Sequence, residues 1–262
     1  MKCCSAQIAA CWEDPEATLE KAAPYIRRAA SAGASLVAFP EQFATGWDPC
    51  SHRHIQDLSG PTISALRTLA RESSVAILGS FREAGSPLPK NTAVVVGKTG
   101  EILARYSKMH PFAPAKEDTC FSAGDDPAVF GIDGLRLGLA ICYDLRFPEL
   151  FRLYAGRGVH GVIVPSAWPE SRLRHWELFI RARAAENQMY VIGINATGSN
   201  PVDSYAGSSM TAGPDGSLVA RAGEDETLLC YDLMAENVEE ARRRLPVLND
   251  RRTDLYSRLY SS

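Results

Sequence analysis

The sequence predicts an α/β fold with mixed sheets, and two patterns along its 262 residues lead to this prediction. Short apolar segments alternate with helical patterns early in the chain, as in 2–10, 14–33 and 35–39, which is typical of strands that alternate with helices. Apolar segments at 91–96 and 101–106 flank a Gly-Lys-Thr-Gly turn and predict a β-hairpin. A sheet that combines helical crossovers with hairpins contains both parallel and antiparallel strands.

Local signals set the bounds of the predicted elements. Asp14 and Pro15 begin the first helix, because aspartate caps free backbone amides and proline lacks the amide that this position leaves unpaired. Further helices are predicted at 61–73, 148–157 and 171–187, and further strands at 75–79, 135–142, 162–164, 189–194, 206–212, 217–222 and 227–232. No linker or repeat divides the chain, so 1–262 is predicted to be a single domain with a charged helical tail over 235–262.

The composition argues against several classes of protein. Apolar residues make up 45% and charged residues 23% of the chain, which is typical of a globular domain. The net charge of −3 comes from interspersed basic and acidic residues, which does not favour a nucleic-acid partner. The apolar stretch 135–143 is interrupted by Arg136 and is far shorter than the roughly 18 residues that span a bilayer. We therefore expect a soluble, cytoplasmic protein with no membrane or nucleic-acid partner.

The seven cysteines do not suggest a disulfide framework, because their number is odd and their spacing does not repeat. We expect most of them to be free and buried, with Cys3 and Cys4 on opposite faces of one strand. Neither C-x-x-C nor H-E-x-x-H spacing occurs, so no metal and no cofactor is predicted. The G-x-G-x-x-G at 156–161 follows a predicted helix and precedes a predicted strand, which is the reverse of a dinucleotide-binding loop.

Reactive side chains follow three of the predicted strands. Glu41 comes after the strand at 35–39, Lys108 after the second strand of the hairpin, and Cys142 at the end of the strand 135–142. Ligands bind at strand ends in open α/β sheets, because the loops there lie at the surface and contribute little to the packed core. A thiol, a carboxylate and an amine that meet at such a place form a nucleophile, a base and an electrostatic stabiliser.

The segments around these residues resemble the nitrilase, or carbon–nitrogen hydrolase, superfamily, from the first strand to about residue 256. The resemblance is carried by KMHPF at 108–112, CYDLRFPEL at 142–150, PSAWP at 165–169, HW at 175–176, RARAAENQ at 181–188 and LPVLNDRR at 245–252. Within the superfamily, the chain is most similar to the omega-amidase-like branch. This resemblance implies a four-layer αββα sandwich of two mixed sheets with outer helices, and a homodimer.

The same resemblance implies the residues of the active site. It assigns a catalytic triad to Glu41, Lys108 and Cys142, and it places the second glutamate of the family at Glu117. In a loop that borders the pocket, Ala196 stands where relatives often carry arginine.

Physical chemistry makes this triad suitable for amide hydrolysis through a thioester on Cys142. The thiolate is the form that attacks, and Glu41 is placed to accept the proton of the thiol. Charge then builds on the carbonyl oxygen, and we expect Lys108 and the backbone N–H of Tyr143 to stabilise this oxyanion.

An omega-amidase-like pocket implies a small-molecule amide substrate with a carboxylate at its far end, such as 2-oxoglutaramate. Arg146 is a candidate clamp for that carboxylate, although its position in a first helical turn suits a structural ion pair equally well. Phe43, Phe147 and Trp168 are candidate walls of the pocket.

Three alternatives remain open at this stage. The same fold and triad could act on a nitrile, an N-carbamoyl amino acid or deaminated glutathione. A cysteine–histidine hydrolase would use His110, His160 or His175 instead. A binding scaffold without activity is the alternative from another class, and it would need none of the three triad side chains.

Overall fold

Over residues 1–260, which the computed structural model describes, the chain forms two six-stranded mixed sheets. The first sheet contains, in spatial order, β14 (Thr227–Asp232), β1 (Lys2–Gln7), β2 (Leu36–Ala38), β3 (Ala76–Glu83), β4 (Lys90–Val96) and β5 (Ile102–Ser107). The second contains β13 (Leu218–Arg221), β12 (Met210–Ala212), β9 (Tyr190–Asn195), β8 (Gly161–Ser166), β7 (Leu135–Leu139) and β6 (Val129–Ile132). A separate small hairpin pairs β10 (Thr197–Ser199) with β11 (Ser204–Ala206).

The described residues also form α-helices, several of which cover the outer faces of the two sheets. They are α1 (Pro15–Ser31), α2 (Pro61–Ser73), α3 (Glu117–Cys120), α4 (Pro148–Gly156), α5 (Leu173–Asn187), α6 (Ala235–Arg244) and α7 (Thr253–Tyr260). One apolar cluster joins α1 and α2 to the first sheet through Ile26, Leu66 and Ile77. A second cluster joins the two inner sheet faces and α5, and it includes Leu78, Val162 and Trp176. This layering confirms the predicted αββα sandwich.

The break before β12 and the additional strand β6 are the main departures from the predicted elements. The predicted strand 206–212 is interrupted because Gly207 and Ser208 both have a positive φ, which separates β11 from β12. The strand β6 was missed, since Val129–Ile132 contains a glycine and has only one buried residue. At 156–161, α4 ends and β8 begins, as predicted from the order of helix and strand.

The prediction about the cysteines was wrong for four of the seven. Disulfides join Cys4 to Cys230 and Cys50 to Cys120. The first follows from strand register, because β1 and β14 pair antiparallel with residues 4 and 230 directly opposite each other. Register between strands so distant in sequence cannot be obtained from cysteine spacing. Cys3 and Cys4 do lie on opposite faces, in different apolar clusters, as predicted.

The tail predicted over 235–262 is helical in two pieces, α6 and α7, and residues 261–262 lie outside the described part of the chain. None of the helices within residues 1–260 is both long and apolar enough to cross a bilayer.

Arg82 on β3 holds the loop that follows β2 against the first sheet. Its side chain is buried, and Nη1 donates to the Glu13 carboxylate at 2.9 Å. Nε donates to Gln42 Oε1 at 2.9 Å, and Nη2 donates to the carbonyl of Gly46 at 3.1 Å. Because five guanidinium N–H groups are fixed in one plane, a single arginine orients the whole loop. This loop also carries Trp47, which lines the site described below.

We expect Arg82→Met to lower the free energy of unfolding by about 3–5 kcal/mol, because it removes the only fully buried charge partner of the buried Glu13 carboxylate within residues 1–260. The matched control is Arg221→Met, which removes an ion pair with Glu177 at the surface and should cost less than about 1 kcal/mol. Urea denaturation measures both values. Equal costs for the two variants would contradict the anchoring role of Arg82.

Candidate active site

The three reactive side chains predicted at strand ends converge between the two sheets. Glu41 follows β2 and Lys108 follows β5, both from the first sheet, whereas Cys142 follows β7 of the second sheet. Lys108 Nζ donates to Glu41 Oε1 at 2.8 Å and to Glu117 Oε2 at 2.8 Å. The two glutamates and the lysine are all buried. The predicted second glutamate therefore contacts the same ammonium group as the first.

Cys142 is held in a backbone conformation that few residues other than glycine adopt, with φ of 44°. It begins a short 3₁₀ turn, Cys142–Arg146, separated from the end of β7 by two residues, and it is 9% exposed and lines a cleft. Such strain persists only where the surroundings fix it, and it is concentrated at functional sites. The thiol is close enough to Glu41 and Lys108 for both to influence its pKa.

Asn91 on β4 ties the two glutamates together. Its Nδ2 donates to Glu41 Oε1 at 2.7 Å and to Glu117 Oε1 at 3.0 Å. Two further donors are backbone groups: the N–H of Ala167 to Glu41 Oε2 at 3.1 Å and the N–H of Phe112 to Glu117 Oε2 at 2.6 Å. Sequence reasoning missed Asn91, because a polar residue at the start of a strand carries no signal of its own.

Asp144 connects the turn of Cys142 to the loop that carries Lys108. Its buried carboxylate accepts hydrogen bonds from Tyr106 Oη at 2.8 Å, the backbone N–H of His110 at 2.9 Å and the backbone N–H of Ile141 at 2.8 Å. One side chain thus fixes the end of β5, the loop after Lys108 and the turn that begins at Cys142. Asp144 was missed as a functional position, although it lies inside the CYDLRFPEL motif.

Burial sets the ionisation of the nucleophile and the base. It raises the pKa of Glu41 above its ordinary value; Lys108 opposes this shift, and the like charge of Glu117 adds to it. Burial also raises the pKa of the Cys142 thiol well above its ordinary value, with a further contribution from the Glu41 carboxylate. Both shifts favour a neutral thiol beside a carboxylate that binds a proton more readily than usual.

Lys108 and Glu117 stay charged in the same environment. Burial alone would lower the pKa of Lys108, but the carboxylates of Glu117 and Glu41 outweigh burial and raise it. Burial alone would raise the pKa of Glu117, but the ammonium of Lys108 and three hydrogen bonds lower it. Two glutamates on one lysine thus have pKa values shifted in opposite directions by their different surroundings.

The cleft above Cys142 is narrow, with a cavity volume of about 20 Å³. Among the residues that line it are Lys108, Cys142, Tyr143, Arg146, Trp168 and Arg172. No carboxylate forms an ion pair with either arginine within residues 1–260. The Arg146 guanidinium lies 4.7 Å from the ring centre of Trp168 and so packs on an aromatic face.

Two of the predicted wall residues lie elsewhere. Phe43 packs on Phe39 in the cluster beneath α1 and α2, and it borders an adjoining cavity rather than this cleft. Phe147 stacks on His110 with ring centres 3.7 Å apart and supports the site from behind. Arg172 was not foreseen, because the segment after Trp168 gave no sign that it would turn back over the cleft.

The alternative nucleophile–histidine pair finds no support in the geometry. His110 Nδ1 lies 2.8 Å from Asp144, and His160 Nδ1 accepts the backbone N–H of Arg136 at 2.9 Å. His175 contacts Arg146 at 3.4 Å. None of the three lines the cleft that contains Cys142. Within the described residues, no group of His, Cys, Asp and Glu side chains has an arrangement that could hold a metal ion.

Comparison with known proteins identifies the family of the chain. A sequence model of the carbon-nitrogen hydrolase family matches residues 3–243. The 2-oxoglutaramate amidase of Bacillus subtilis is 33% identical over 92% of this chain and 94% of its own length. The omega-amidase NIT2 of Homo sapiens is 34% identical, with 90% of each protein covered.

Solved structures agree with the sequence comparisons. The amidase from Nesterenkonia sp. superposes with a TM-score of 0.89 at 29% identity, covering 99% of this chain and 96% of that one. In another structure of that amidase, a variant, the active-site cysteine carries the product of Michael addition of acrylamide. From its family match, its amidase relatives and its fold, this chain belongs to the carbon-nitrogen hydrolase family and is an enzyme that acts on amides.

Proposed function

We propose that this enzyme hydrolyses the C–N bond of a small carboxylate-bearing amide, resembling 2-oxoglutaramate, to an acid and ammonia through a thioester on Cys142. The observation that carries the proposal is the buried ammonium of Lys108, bonded to Glu41 and Glu117 beside a strained cysteine that lines a cleft. The acrylamide adduct on the cysteine of the Nesterenkonia amidase supports a nucleophilic role for the equivalent thiol.

In the acylation half of the reaction, Glu41 accepts the proton of the Cys142 thiol as sulfur attacks the carbonyl carbon. Lys108 has three N–H donors, and two of them bond the glutamates, so the third is free to bond the developing oxyanion. The backbone N–H of Tyr143 is the second donor, because the first amides of a helical turn have no partner within it. Glu41 then returns its proton to the nitrogen, the C–N bond breaks and ammonia leaves.

In the deacylation half, Glu41 takes a proton from water, and the resulting hydroxide attacks the thioester carbon. The C–S bond breaks, the acid is released and the thiol regains its proton. Glu117 takes no part in these transfers. It positions Lys108 and supplies the second negative charge that keeps this ammonium protonated.

Two cations support a carboxylate at the far end of the substrate. Arg146 and Arg172 both line the cleft, and each guanidinium packs on an aromatic ring rather than on a carboxylate. Burial lowers the pKa of Arg146, and the charge of Arg172 contributes to the same shift, so a bound anion would relieve their repulsion. Arginine is well suited to bidentate binding of carboxylates.

Pairing of two copies is also part of the proposal. Leu178 on α5 and Val219 on β13 are exposed apolar side chains on the outer face of the second sheet, where a second copy could pack. The disulfides weigh against the cytoplasm, because such bonds are more typical of oxidising compartments.

Cys142→Ala should abolish ammonia release from amides while it leaves the thermal unfolding temperature close to that of the parent enzyme, since it removes only the nucleophile. Cys11→Ala is the matched control, because this cysteine is free and lies outside the cleft. A coupled ammonia assay measures both. Near-normal turnover by the Cys142 variant would contradict a mechanism through a thioester on Cys142.

Activity should fall with decreasing pH as Glu41 becomes protonated, because the base must be ionised to accept the proton. Since burial raises the pKa of Glu41, this acidic limb should lie above pH 4.5, the ordinary value for glutamate. Glu117→Gln removes a like charge, so it should move the acidic limb of kcat/KM to lower pH. Asp118→Asn, at the exposed neighbouring position, should leave the limb where it is. An unmoved limb in the Glu117 variant would contradict the coupling.

Arg146→Gln and Arg172→Gln should each raise KM for carboxylate-bearing amides by about ten- to hundredfold, because each removes one charged hydrogen-bond donor. KM for neutral amides of the same length should change little, and Arg174→Gln, an exposed arginine on α5, serves as control. Steady-state assays over amides, nitriles and carbamoyl compounds provide the test. Equal effects on acidic and neutral amides would contradict the role of the two arginines in binding the substrate carboxylate. A preference for nitriles or carbamoyl compounds would contradict the proposed substrate class.

A further inference from the structure

A second cavity lies on the other side of the wall formed by Trp47 and Ala167, which line both spaces. We call this cavity the rear compartment; its volume of about 20 Å³ is enough for a water molecule. Among its lining residues are Pro40, Glu41, Phe43, Trp47, Ala196 and Tyr205. We call the cleft above Cys142 the front cleft. Cys142 and Lys108 line the front cleft, whereas Glu41 lines the rear compartment. The carboxylate of Glu41 therefore borders the rear compartment, whereas the thiol of Cys142 borders the front cleft.

Two buried polar groups at the rear compartment lack hydrogen-bond partners among the described residues: Trp47 Nε1 and Tyr205 Oη. Both side chains are 6% exposed. The Tyr205 hydroxyl lies near the Asn200 side chain without reaching hydrogen-bond geometry with it. Buried polar groups in folded proteins are nearly always paired, and those that the protein leaves unpaired bind water or a ligand.

The far end of the rear compartment reaches the surface. Ala9 and Asn200 are partly exposed there and Ser199 is exposed, whereas Glu41 and Phe43 are buried at the inner end. The small side chain of Ala196 borders the space between these ends. The lining of the compartment therefore runs from partly exposed residues at its outer end to the proposed base at its inner end, and Cys142 is not part of that lining.

We propose that the rear compartment supplies the water that hydrolyses the thioester, guided by Trp47 and Tyr205. This inference rests on the proposed function, because a thioester on Cys142 places the acyl group in the front cleft and obstructs that side. A water molecule held by the two unpaired groups reaches Glu41 from behind. It gives a proton to Glu41, its oxygen bonds the acyl carbon, the C–S bond breaks and the sulfur receives the proton.

The experiment separates the two half-reactions in single turnovers of the full-length enzyme with glutaramate, a small amide that carries a distal carboxylate. Ammonia release reports acylation, and release of the dicarboxylic acid reports deacylation. Tyr205→Phe removes a hydroxyl without leaving a partner unpaired, and Ala196→Leu narrows the compartment. In both variants, acylation should keep the parent rate and deacylation should slow about tenfold, so that acyl-enzyme accumulates and is seen by mass spectrometry.

Tyr256→Phe on α7 and Ala220→Leu on β13 are the matched controls, and both should keep parent rates for ammonia and acid release. Unchanged deacylation in both test variants, or equal slowing of the two half-reactions, would overturn the role of the rear compartment. A parent enzyme that forms no acyl adduct and releases no ammonia from any amide would instead overturn the proposed function. Thermal unfolding verifies that each variant is folded before its rates are compared.

Discussion

A buried ammonium group between two carboxylates is the interaction around which this site is organised. Lys108 is 1% exposed, and it could not remain charged there without Glu41 and Glu117, since an unpaired buried charge costs several kcal/mol. One positive charge cannot fully satisfy two negative ones. Burial raises the pKa of Glu41, and the like charge of Glu117 adds to the rise. At Glu117, the ammonium of Lys108 and three hydrogen bonds outweigh burial and lower the pKa. Electrostatics thus distinguishes the two glutamates.

The arrangement of the sheets explains why the site exists only in the folded sandwich. Glu41 and Lys108 come from loops of the first sheet, and Cys142 comes from the second. The carboxylate of Asp144 links the loop of Lys108 to the turn of Cys142 across the two sheets. Packing of the inner sheet faces therefore does more than bury apolar area, because it brings a nucleophile to a base that belongs to a different layer.

Strand ends and extended motifs allowed the sandwich and the positions of Glu41, Lys108, Cys142 and Glu117 to be predicted from the sequence, and the fold confirms the first of these. The roles of these residues stay predictions until they are measured. Asn91 could not be found in this way, because its importance comes from two carboxylates far away in the chain. The disulfides and the position of Arg172 likewise depend on register and on loop direction, which residue types alone do not determine.

The pairing of β1 with β14 has a consequence for how the protein is made. These strands lie side by side with residues 4 and 230 opposite each other, a sequence separation of 226. On the ribosome, β1 emerges before β14, and about 226 further residues must be synthesised before its antiparallel neighbour exists. One edge of β1 is therefore unpaired during translation, and an unpaired strand edge attracts other chains. Completion of this sheet is therefore a late step in folding, because the contact joins residues so far apart in sequence.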